Sequence, residues 1–393
     1  MQSSFPTEPA AKLAELLAAV ESIRETVERH AEEGERLGTL PPATIDALYG
    51  SGLLSLKLPA VLGGAEADPA TQFEVIERLS AIEPSTGWCL MIGGTGIGLP
   101  GAFLPDVAIA KIFAGGRIPR GAIVAMPTGE ARPVPGGYRV TGRWPFVSGV
   151  PHAEWVTVGA RVLGRDGAPG DPRLFVVPRS AVTVHDNWHV AGLKGTGSCD
   201  VSLEDCFVEE AFTWDRLKTP PRRGGALYRI GHPGFVANEH AAWAVGVARG
   251  ALDAIMELAR SKRRSFAASP SSIESRPVFQ RAIGLGDMRL RAARALVLEV
   301  YAEAWEFATA GEIPPPRVQA AIRSATAYAT EVSAEVTTEA FRFAGGEAVY
   351  APQRLQRYLR DINVGAQHLM VSSVAYENHG QFLMGLPGAD PLR

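Results

Sequence analysis

Two short runs, GYRVTGRWPFV (Gly137–Val147) and EWVTVGARVL (Glu154–Leu163), decide the fold. Each is rich in Val and aromatic residues and alternates apolar with polar positions, which is typical of a half-buried strand. Similar runs surround them from about Gly121 to Glu209, separated by Gly, Pro and Asp turns: AIVAM, RLFVVP and AVTVHDNWHV. The pattern predicts a small antiparallel sheet or barrel in the middle of the chain.

On both sides of this segment the apolar residues recur at helical spacing. Toward the N-terminus, AKLAELLAAVESIRETVERHAEEGERLG predicts one amphipathic helix that stops at a glycine, and Ala43 to Tyr49 predicts another. From about Pro233 onward, four long segments of this kind follow one another, which predicts a four-helix bundle. The spacing in the last segment predicts a helix that runs through Gln367 and His368.

The order of helices, strands and helices predicts an α+β chain in three parts. We expect an N-terminal helical domain over residues 1–120, a β-domain over 121–220 and a C-terminal four-helix bundle over 221–393. Strands and helices do not alternate as they do in a Rossmann or TIM fold. The motif GIGLPG (Gly96–Gly101) matches a dinucleotide-binding loop, but a helical pattern precedes it and Pro100 interrupts it. We interpret it as a helix end or a close helix–helix approach.

Composition narrows the class of protein further. The chain has 393 residues, 46% hydrophobic and 21% charged, with a net charge of −3, which is ordinary for a soluble enzyme. The basic run RSKRRSF (Arg260–Phe266) is too short to indicate nucleic-acid binding. The N-terminus resembles neither a signal peptide nor a membrane anchor. Three widely spaced cysteines suit a reducing cytoplasm, and HDNWH (His185–His189) lacks partners for a metal, so no metal site is predicted.

Several stretches together resemble the acyl-CoA dehydrogenase superfamily. They are GRWPFVSGVPHAEWV, WHVAGLKGTGSCDVSLEDCFV and RFAGGEAVYAPQRLQRYLRDINVGAQH, with SGLLSLKLPAVLGGAEAD and AIEPSTGWCL nearer the N-terminus. The resemblance covers nearly the whole chain and implies that fold. The superfamily contains dehydrogenases, which hold FAD and oxidise acyl-CoA thioesters with a carboxylate base. It also contains monooxygenases, which take reduced flavin from a separate reductase and transfer one oxygen atom from O2.

The stretch after the Arg360–Asp361 pair distinguishes the two chemistries. In many dehydrogenases it carries the glutamate base, and the resemblance aligns that place with Gln367, whose amide cannot abstract a proton. Other dehydrogenases place the glutamate on the first bundle helix, where this chain has Val236, with Glu239 one turn along as the remaining candidate. The monooxygenases resemble this chain in having a histidine here, His368. Its imidazole can deprotonate a phenol or hydrogen-bond a flavin hydroperoxide.

The resemblance also implies flavin contacts in the β-domain. Ser148 falls where the family presents a hydroxyl to the reactive edge of the isoalloxazine ring. Trp144 and Phe146 lie beside it and are candidates to cover a flavin face, with a place in the core as the alternative. Met126 and Thr128 lie in AMPT, which resembles a flavin-contacting strand end.

Two glycine-containing turns complete the predicted cofactor site. Gly195 and Thr196 belong to a turn (Gly195–Ser198) that borders flavin and substrate in the family, and Gly345 and Gly346 match a pair that approaches the flavin of a neighbouring subunit. Each also fits a plain turn requirement. The side chains of Arg263 and Arg264 are candidates for contacts with flavin phosphate, or are solvated charges at a helix end.

These residues lead to one hypothesis with two alternatives. The first is the oxygenase component of a two-component monooxygenase that takes reduced FMN or FAD from a flavin reductase and oxygenates a small organic, preferentially aromatic, substrate with O2. His368 and Ser148 are its catalytic candidates. The second is an acyl-CoA dehydrogenase with tightly bound FAD and Glu239 as a relocated base, and the third is a non-catalytic ligand-binding relative. Some relatives place a second histidine after the GW helix start, where this chain has glycine. The resemblance further implies a homotetramer.

Overall fold

The computed structural model describes residues 5–164, 168–215, 218–261 and 272–392, so that Arg263 and Arg264 lie outside the described residues. The helices are α1 (Pro9–Arg29), α2 (Ala31–Leu37), α3 (Pro42–Gly50), α4 (Pro69–Ile82), α5 (Pro84–Phe103), α6 (Asp106–Ile112), α7 (Gly234–Ser261), α8 (Pro277–Thr309), α9 (Pro316–Ala344), α10 (Arg354–Gly365) and α11 (Val374–Leu383). The strands are β1 (Gly121–Val134), β2 (Gly137–Trp144), β3 (Trp155–Leu163), β4 (Pro169–Pro178), β5 (Thr183–Val184), β6 (Val201–Glu209) and β7 (Thr213–Asp215).

The chain divides into two compact units. The first comprises Met1–Ala67, Trp88–His189 and Lys194–Tyr228, and the second comprises Asp68–Gly87, Val190–Leu193 and Arg229–Arg393. The first unit therefore contains the whole sheet, and the second contains α4 and all the helices after the sheet. The three-domain division at residues 120 and 220 stays a prediction of the sequence. Over the described residues, no helix has both the length and the apolar character needed to cross a bilayer.

The N-terminal helix is shorter than its pattern predicts. Glu8 caps α1 by accepting the backbone N–H groups of Ala10 and Ala11 at 2.9 and 2.6 Å. The chain leaves helical geometry at His30, where α1 ends and α2 begins, so the predicted single helix is two helices. The predicted glycine stop is confirmed one helix later, because Gly38 follows α2 with a left-handed φ of 68°.

The central sheet is mixed, whereas the sequence predicted an antiparallel one. Its strand order is β5-β6-β2-β1-β3-β4-β7, and β1 pairs with β3 in parallel. The other neighbouring pairs among the described residues are antiparallel. The parallel pair arises because β2 folds back on one side of β1, and residues 145–154 then carry the chain across to the other side of β1. Alternation of side chains does not reveal this, since strands of either direction alternate in the same way.

The GIGLPG motif lies near the C-terminal end of α5, and its first glycine contacts a strand and not another helix. It lies inside α5, with Pro100 within the helix. A Cβ on Gly96 would lie 3.0 Å from the carbonyl carbon of Gly121, and a Cβ on Gly121 would lie 2.7 Å from that of Gly96. The two glycines therefore allow α5 to lie directly against the start of β1.

In the second unit α7 packs against α4, α9 and α10, and α8 packs against α9. The expected last long helix is two helices. Its first part ends at Gly365, where a Cβ would lie 2.3 Å from the ring of Trp243 on α7. Gln367 and His368 therefore follow a helix instead of lying on one. The α+β class, with helical regions on both sides of a sheet in sequence, is confirmed.

Candidate active site

Three hydroxyl groups and one indole form a buried hydrogen-bonded chain in the first unit, which we call the hydroxyl cluster: Trp88, Ser148, Thr196 and Ser198. Trp88 Nε1 donates to Ser148 Oγ at 3.0 Å, Ser148 Oγ lies 2.7 Å from Ser198 Oγ, and Ser198 Oγ lies 2.6 Å from Thr196 Oγ1. All four side chains are at least 94% buried. The predicted Ser148 and Thr196 are thus brought together, through Ser198.

Backbone hydrogen bonds hold the two loops of this cluster in register. Val147 N donates to the carbonyl of Cys199 at 3.1 Å, and Gly149 N donates to that of Thr196 at 2.8 Å. Gly149 has a φ of 74°, which favours glycine. The loop after β2 and the turn before β6 are therefore held together on both sides of Ser148, and the hydroxyl position is set by backbone geometry.

The two aromatic candidates beside Ser148 have opposite environments. Phe146 is 69% exposed, has a left-handed φ of 63° and meets Trp188 edge to face at 6.3 Å between ring centroids. Trp144 is 0% exposed, and its Nε1 donates to the carbonyl of Gly159 at 2.6 Å. The structure therefore places the Trp144 ring in the core, which is the alternative that the sequence left open, and its flavin contact stays a prediction. The sequence could not separate the two rings, because both belong to one short aromatic run.

The other β-domain candidates lie on the outside of the sheet. Met126 is 49% exposed, and Thr128 is exposed with its Oγ1 donating to the carbonyl of Arg143 at 3.3 Å. Both fall where the pairing of β1 with β3 shifts register, between Val124 and Gly129. Bulges of this kind redirect side chains and are frequent beside binding sites.

In the second unit, His368 stacks on a residue that the sequence analysis did not select. The rings of His240 and His368 lie 4.2 Å apart between centroids, with their planes inclined by 28°. His240, on α7, is only 5% exposed, whereas His368 is exposed. We call these two residues the histidine pair. One face of His368 is therefore covered by a buried ring.

Backbone contacts define the protonation of His368. Its Nδ1 accepts the backbone N–H of Met370 at 3.2 Å, so the neutral ring carries its proton on Nε2. Dense protein surroundings lower the pKa of His368 to about 4, even though part of the ring stays open to solvent. Arg323 of α9 donates to the carbonyl of Leu369 at 3.2 Å and secures the turn. At neutral pH His368 is thus an uncharged N–H donor.

The Arg360–Asp361 pair forms hydrogen bonds with the backbone of Val190–Leu193 in the second unit. Asp361 Oδ1 accepts the backbone N–H of Leu193 at 2.5 Å, and Arg360 Nη1 donates to the carbonyl of Ala191 at 2.7 Å. A Cβ on Gly192 would lie 2.3 Å from the carbonyl oxygen of Arg360. The pair therefore anchors the segment Val190–Leu193, which directly precedes the turn that bears Thr196 and Ser198.

Gly345 and Gly346 lie at the edge of a cavity of about 860 Å³ in the second unit. Arg276, Arg289 and Arg342 line this arginine cavity, together with Glu335 and Glu339. Arg289 pairs with Glu335. Gly345 follows α9 with a φ of 57°. Neither member of the histidine pair lines the cavity, so it is a separate feature of the unit.

The remaining motif candidates have structural partners. In HDNWH, His185 Nε2 lies 2.9 Å from Ser202 Oγ, and Asn187 Oδ1 accepts the backbone N–H of Asp200 at 3.0 Å. Within the described ranges, no group of three or more His, Cys, Asp or Glu is arranged to hold a metal ion. Glu239 is 3% exposed on α7, and Gln367 is exposed. The position aligned with the dehydrogenase base therefore presents an amide to solvent.

Sequence reasoning missed Trp88 and His240. Trp88 lies in the stretch AIEPSTGWCL, but nothing in the sequence pairs it with Ser148, sixty positions away. For His240, the sequence did contain an indication of an unusual position. Asn238, Glu239 and His240 are three consecutive polar residues in a stretch of α7 that is buried on every side from 237 to 248. Polar side chains in such a place are costly unless they have partners or a function.

Comparison with known proteins shows the family of the chain. Residues 12–101 match the acyl-CoA dehydrogenase N-terminal domain family, and residues 239–373 match the acyl-CoA dehydrogenase C-terminal domain family. The indole-3-acetate monooxygenase of Pseudomonas putida is 33% identical over 94% of this chain and 95% of its own. The chain belongs to the acyl-CoA dehydrogenase superfamily.

Two further relatives specify the branch of the superfamily. The oxygenase subunit HsaA of a flavin-dependent monooxygenase from Mycobacterium tuberculosis is 29% identical over 96% of this chain and 97% of its own. The structure of XiaF from Streptomyces sp., in complex with FADH2 and glycerol, superposes with a TM-score of 0.86 at 29% identity over 98% of each chain. The predicted flavin-dependent monooxygenase branch of the superfamily is thereby confirmed, and a monooxygenase is favoured over a dehydrogenase.

Proposed function

We propose that this superfamily member is the oxygenase component of a two-component system, using reduced flavin and O2 to oxygenate a small aromatic substrate. The observation that carries the proposal is the stretch after Arg360–Asp361. It presents an exposed, uncharged imidazole at His368 and an exposed amide at Gln367, and no carboxylate base. Abstraction of a substrate proton by a carboxylate, as a dehydrogenase requires, has no residue here to perform it.

The residues present fit a flavin. The isoalloxazine is a flat apolar ring with a polar edge, and the loop after β2 offers an exposed aromatic ring, Phe146, two positions from the hydroxyl of Ser148. Phosphate groups are matched by guanidinium groups, which line the arginine cavity beside Gly345 and Gly346. We propose that this cavity binds the phosphate of a flavin whose ring is bound by a neighbouring subunit. We also propose that Met126, Thr128 and Gly195 border the isoalloxazine ring.

Reduced flavin, when bound, supplies the electrons that activate O2 for transfer of one atom to the substrate. The chain supplies hydrogen bonds and position. Because Nδ1 of His368 is already an acceptor for Met370 N, the ring acts through its Nε2–H as a donor to the oxygen that is transferred or to the substrate oxygen. Of the two roles predicted for His368, hydrogen-bond donor is therefore the one that we propose. Ser148 holds the flavin edge, and Trp88 keeps Ser148 in place.

The relatives favour particular partners. XiaF was solved with FADH2, which supports reduced FAD as the flavin, and the indole-3-acetate monooxygenase supports an aromatic substrate. HsaA is named as an oxygenase subunit, which supports a separate flavin reductase. We also propose a cytoplasmic homotetramer. Free Cys89, Cys199 and Cys206 suit a reducing compartment, and Leu383 and Met384 are 76% and 67% exposed, as apolar residues at subunit contacts are before assembly.

The test is a rapid-mixing experiment. The protein is loaded anaerobically with reduced FAD, and in parallel with reduced FMN, then mixed with oxygenated buffer while the flavin absorbance and H2O2 release are followed. We expect bound reduced FAD to return to the oxidised spectrum much more slowly than free flavin, with little H2O2 when indole-3-acetate or a simple phenol is present.

Two controls make the outcome decisive. Free reduced flavin at the same concentration sets the unprotected rate, and anaerobic addition of acyl-CoA thioesters to the FAD-loaded protein tests the dehydrogenase alternative. Reoxidation as fast as that of free flavin, together with bleaching of oxidised FAD by a thioester, would contradict the proposal and direct attention to Glu239.

A further inference from the structure

Arg323 on α9 is a buried cation that forms hydrogen bonds with two distant parts of the chain. It is only 4% exposed, and burial lowers the pKa of its guanidinium. Its Nη2 donates to the carbonyl of Leu369 at 3.2 Å, and its Nη1 donates to the carbonyl of Pro391 at 3.3 Å. The two acceptors lie 46 and 68 positions away along the chain. Because burial of a charge is costly, a role in packing alone would favour an apolar side chain here.

The first acceptor belongs to the turn that carries His368. Leu369–Val371 form a 3-10 turn directly after this histidine. Val371 N donates to the carbonyl of His368 at 3.0 Å, and Met370 N donates to its Nδ1 at 3.2 Å. A displacement of the turn therefore moves both the backbone and the ring of His368. By bonding to the Leu369 carbonyl, Arg323 fastens this turn to a long helix.

The second acceptor belongs to the segment Asp390–Leu392, which we call the strap. It follows α11 and lies outside any helix or strand. Within it, the carboxylate of Asp390 accepts the backbone N–H of Leu392 at 2.9 Å, and Pro391 is half-buried. The planar fork of a guanidinium presents several N–H donors in fixed directions, so one Arg323 side chain can bond to the strap and to the turn at once.

We infer that Arg323 is a positioning residue for the turn that bears His368, and that it fastens the strap to the same point. The consequence for oxygen transfer rests on the proposed function, whereas the fastening itself does not. Because the two segments share one guanidinium, release of the strap leaves that side chain less restrained. Loosening the strap should therefore loosen the turn as well.

The direct measurement is amide hydrogen exchange of the full chain, read at Met370 and Val371. Arg323→Met keeps a long stem in the buried site but removes the donors, so we expect these two amides to exchange roughly tenfold faster. Arg323→Lys keeps the charge, but a compact ammonium does not reproduce the fork, so we expect an intermediate rate. Pro391→Gly loosens the strap while Arg323 is intact, and it should raise the exchange rate about threefold.

Ser324→Ala is the matched control at the neighbouring position. Ser324 is 7% exposed, and its Oγ donates to the carbonyl of Ala375 on α11 at 2.9 Å. Loss of this hydroxyl should lower the unfolding midpoint and leave exchange at Met370 and Val371 unchanged, because its hydrogen bond holds α11 and not the turn. The comparison separates positioning of the turn from a general loss of packing.

The second measurement is turnover with saturating reduced FAD. Arg323→Met should lower kcat roughly tenfold with little change in KM or in flavin binding, since a misplaced donor weakens the reacting geometry more than it weakens binding. Adding Arg323→Met to His368→Ala should cause no further loss, because residues that act through one another are not additive. A purely structural role would lower flavin binding together with kcat and would add to the effect of His368→Ala.

The outcomes that contradict the inference are specific. Unchanged exchange at Met370 and Val371 in Arg323→Met, or an effect no larger than that of Ser324→Ala, would overturn it. Unchanged exchange in Pro391→Gly would overturn the part assigned to the strap. If Arg323→Met does not fold, Arg323→Lys and Pro391→Gly still decide. If the wild type transfers no oxygen at all, the proposed function fails, whereas the exchange rates still test the fastening.

Discussion

The hydroxyl cluster and the histidine pair hold their polar side chains in place in different ways. Around Ser148 every named hydroxyl is buried and hydrogen-bonded to its neighbour, and two backbone hydrogen bonds fasten the loops that carry them. Around His368 the stacked ring of His240 is buried, while His368 itself is exposed and lies beyond the end of a helix.

The difference indicates different tasks. A hydrogen-bonded hydroxyl in a dense network has a fixed position and little freedom, which suits holding a cofactor edge. An exposed ring with one face covered keeps an edge available to a reacting molecule, which suits donation of a hydrogen bond. We therefore expect substitutions in the histidine pair to lower turnover most. Substitutions in the hydroxyl cluster should both speed the reoxidation of bound flavin and lower the free energy of unfolding.

The largest expected effect is that of His368→Ala. Loss of a single preorganised donor costs about 10²–10³-fold in turnover, so we expect product formation to fall by that factor while reduced flavin still binds. The measurement is product per minute with saturating reduced FAD, alongside a flavin-binding titration. Gln367→Ala, at the exposed neighbouring position, is the control and should retain activity. Unchanged turnover in His368→Ala would remove His368 from the mechanism.

Next in size is Ser148→Ala, which tests the hydroxyl cluster. We expect bound flavin to be reoxidised roughly tenfold faster with more H2O2, since a hydrogen bond to a cofactor is worth about 1.5 kcal/mol when charge is involved. Removing the acceptor of the buried Trp88 Nε1–H should also lower the free energy of unfolding by about 1–3 kcal/mol.

Ser198→Ala is the matched variant for that experiment. It removes a hydroxyl from the same cluster without touching the acceptor of Trp88, so it should speed reoxidation less than Ser148→Ala. Equal effects of the two substitutions would mean that the cluster works as a packing unit, with no special role for Ser148.

The pH dependence of turnover tests the protonation state proposed for His368. Its pKa is lowered to about 4 by its surroundings, so the neutral ring persists well below neutrality and is lost only as the pH falls through about 4. We expect turnover of the wild type to stay flat from pH 8 to about pH 5.5. A decline centred near pH 6.5, absent in His368→Ala, would show an unperturbed histidine and contradict the assigned environment.

The smallest expected effect is a loss of stability at low pH caused by His152, which lies in the loop that follows Ser148. Burial, with a smaller contribution from Arg120, lowers the pKa of His152 to about 4. The unfolded chain therefore binds this proton at a higher pH than the folded chain, and stability declines as the pH falls from about 6.5 to about 4. Allowing for its partial exposure, we expect a loss of about 2 kcal/mol at pH 4 relative to pH 7.

Urea denaturation of His152→Asn measures that contribution. The variant should lose part of the acid sensitivity of the wild type while keeping the hydroxyl cluster intact, because the backbone bond from residue 152 to Gly149 does not need the imidazole. An identical pH profile in the two proteins would show that His152 does not carry the effect.

Much of the fold followed from local patterns. Period-two runs between helical stretches predicted the sheet and its flanking helices, and the family motifs predicted the superfamily. The errors occurred where distant parts of the chain determine geometry. The parallel β1–β3 pair depends on a crossover, and α10 ends at Gly365, where the chain lies close to the distant Trp243.

The site shows the same limit residue by residue. His368 and Ser148 could be selected as site candidates from the sequence because each lies in a stretch that resembles a family motif. Their roles stay proposals. Trp144 and Phe146 have similar chemistry and adjacent positions, so only burial separates the core ring from the exposed one. His240 was visible as a polar residue in an apolar helix, but its partner, 128 positions away, was not.

Residue types and neighbours within a few turns or strands were enough to predict the order of helical and strand regions, the family, and an amide in place of a carboxylate at Gln367. The tertiary structure alone decided which hydroxyl contacts which, that His368 leaves the helix, and that His240 covers its ring. Such contacts join residues far apart in the chain, and their geometry depends on packing that local propensity does not contain.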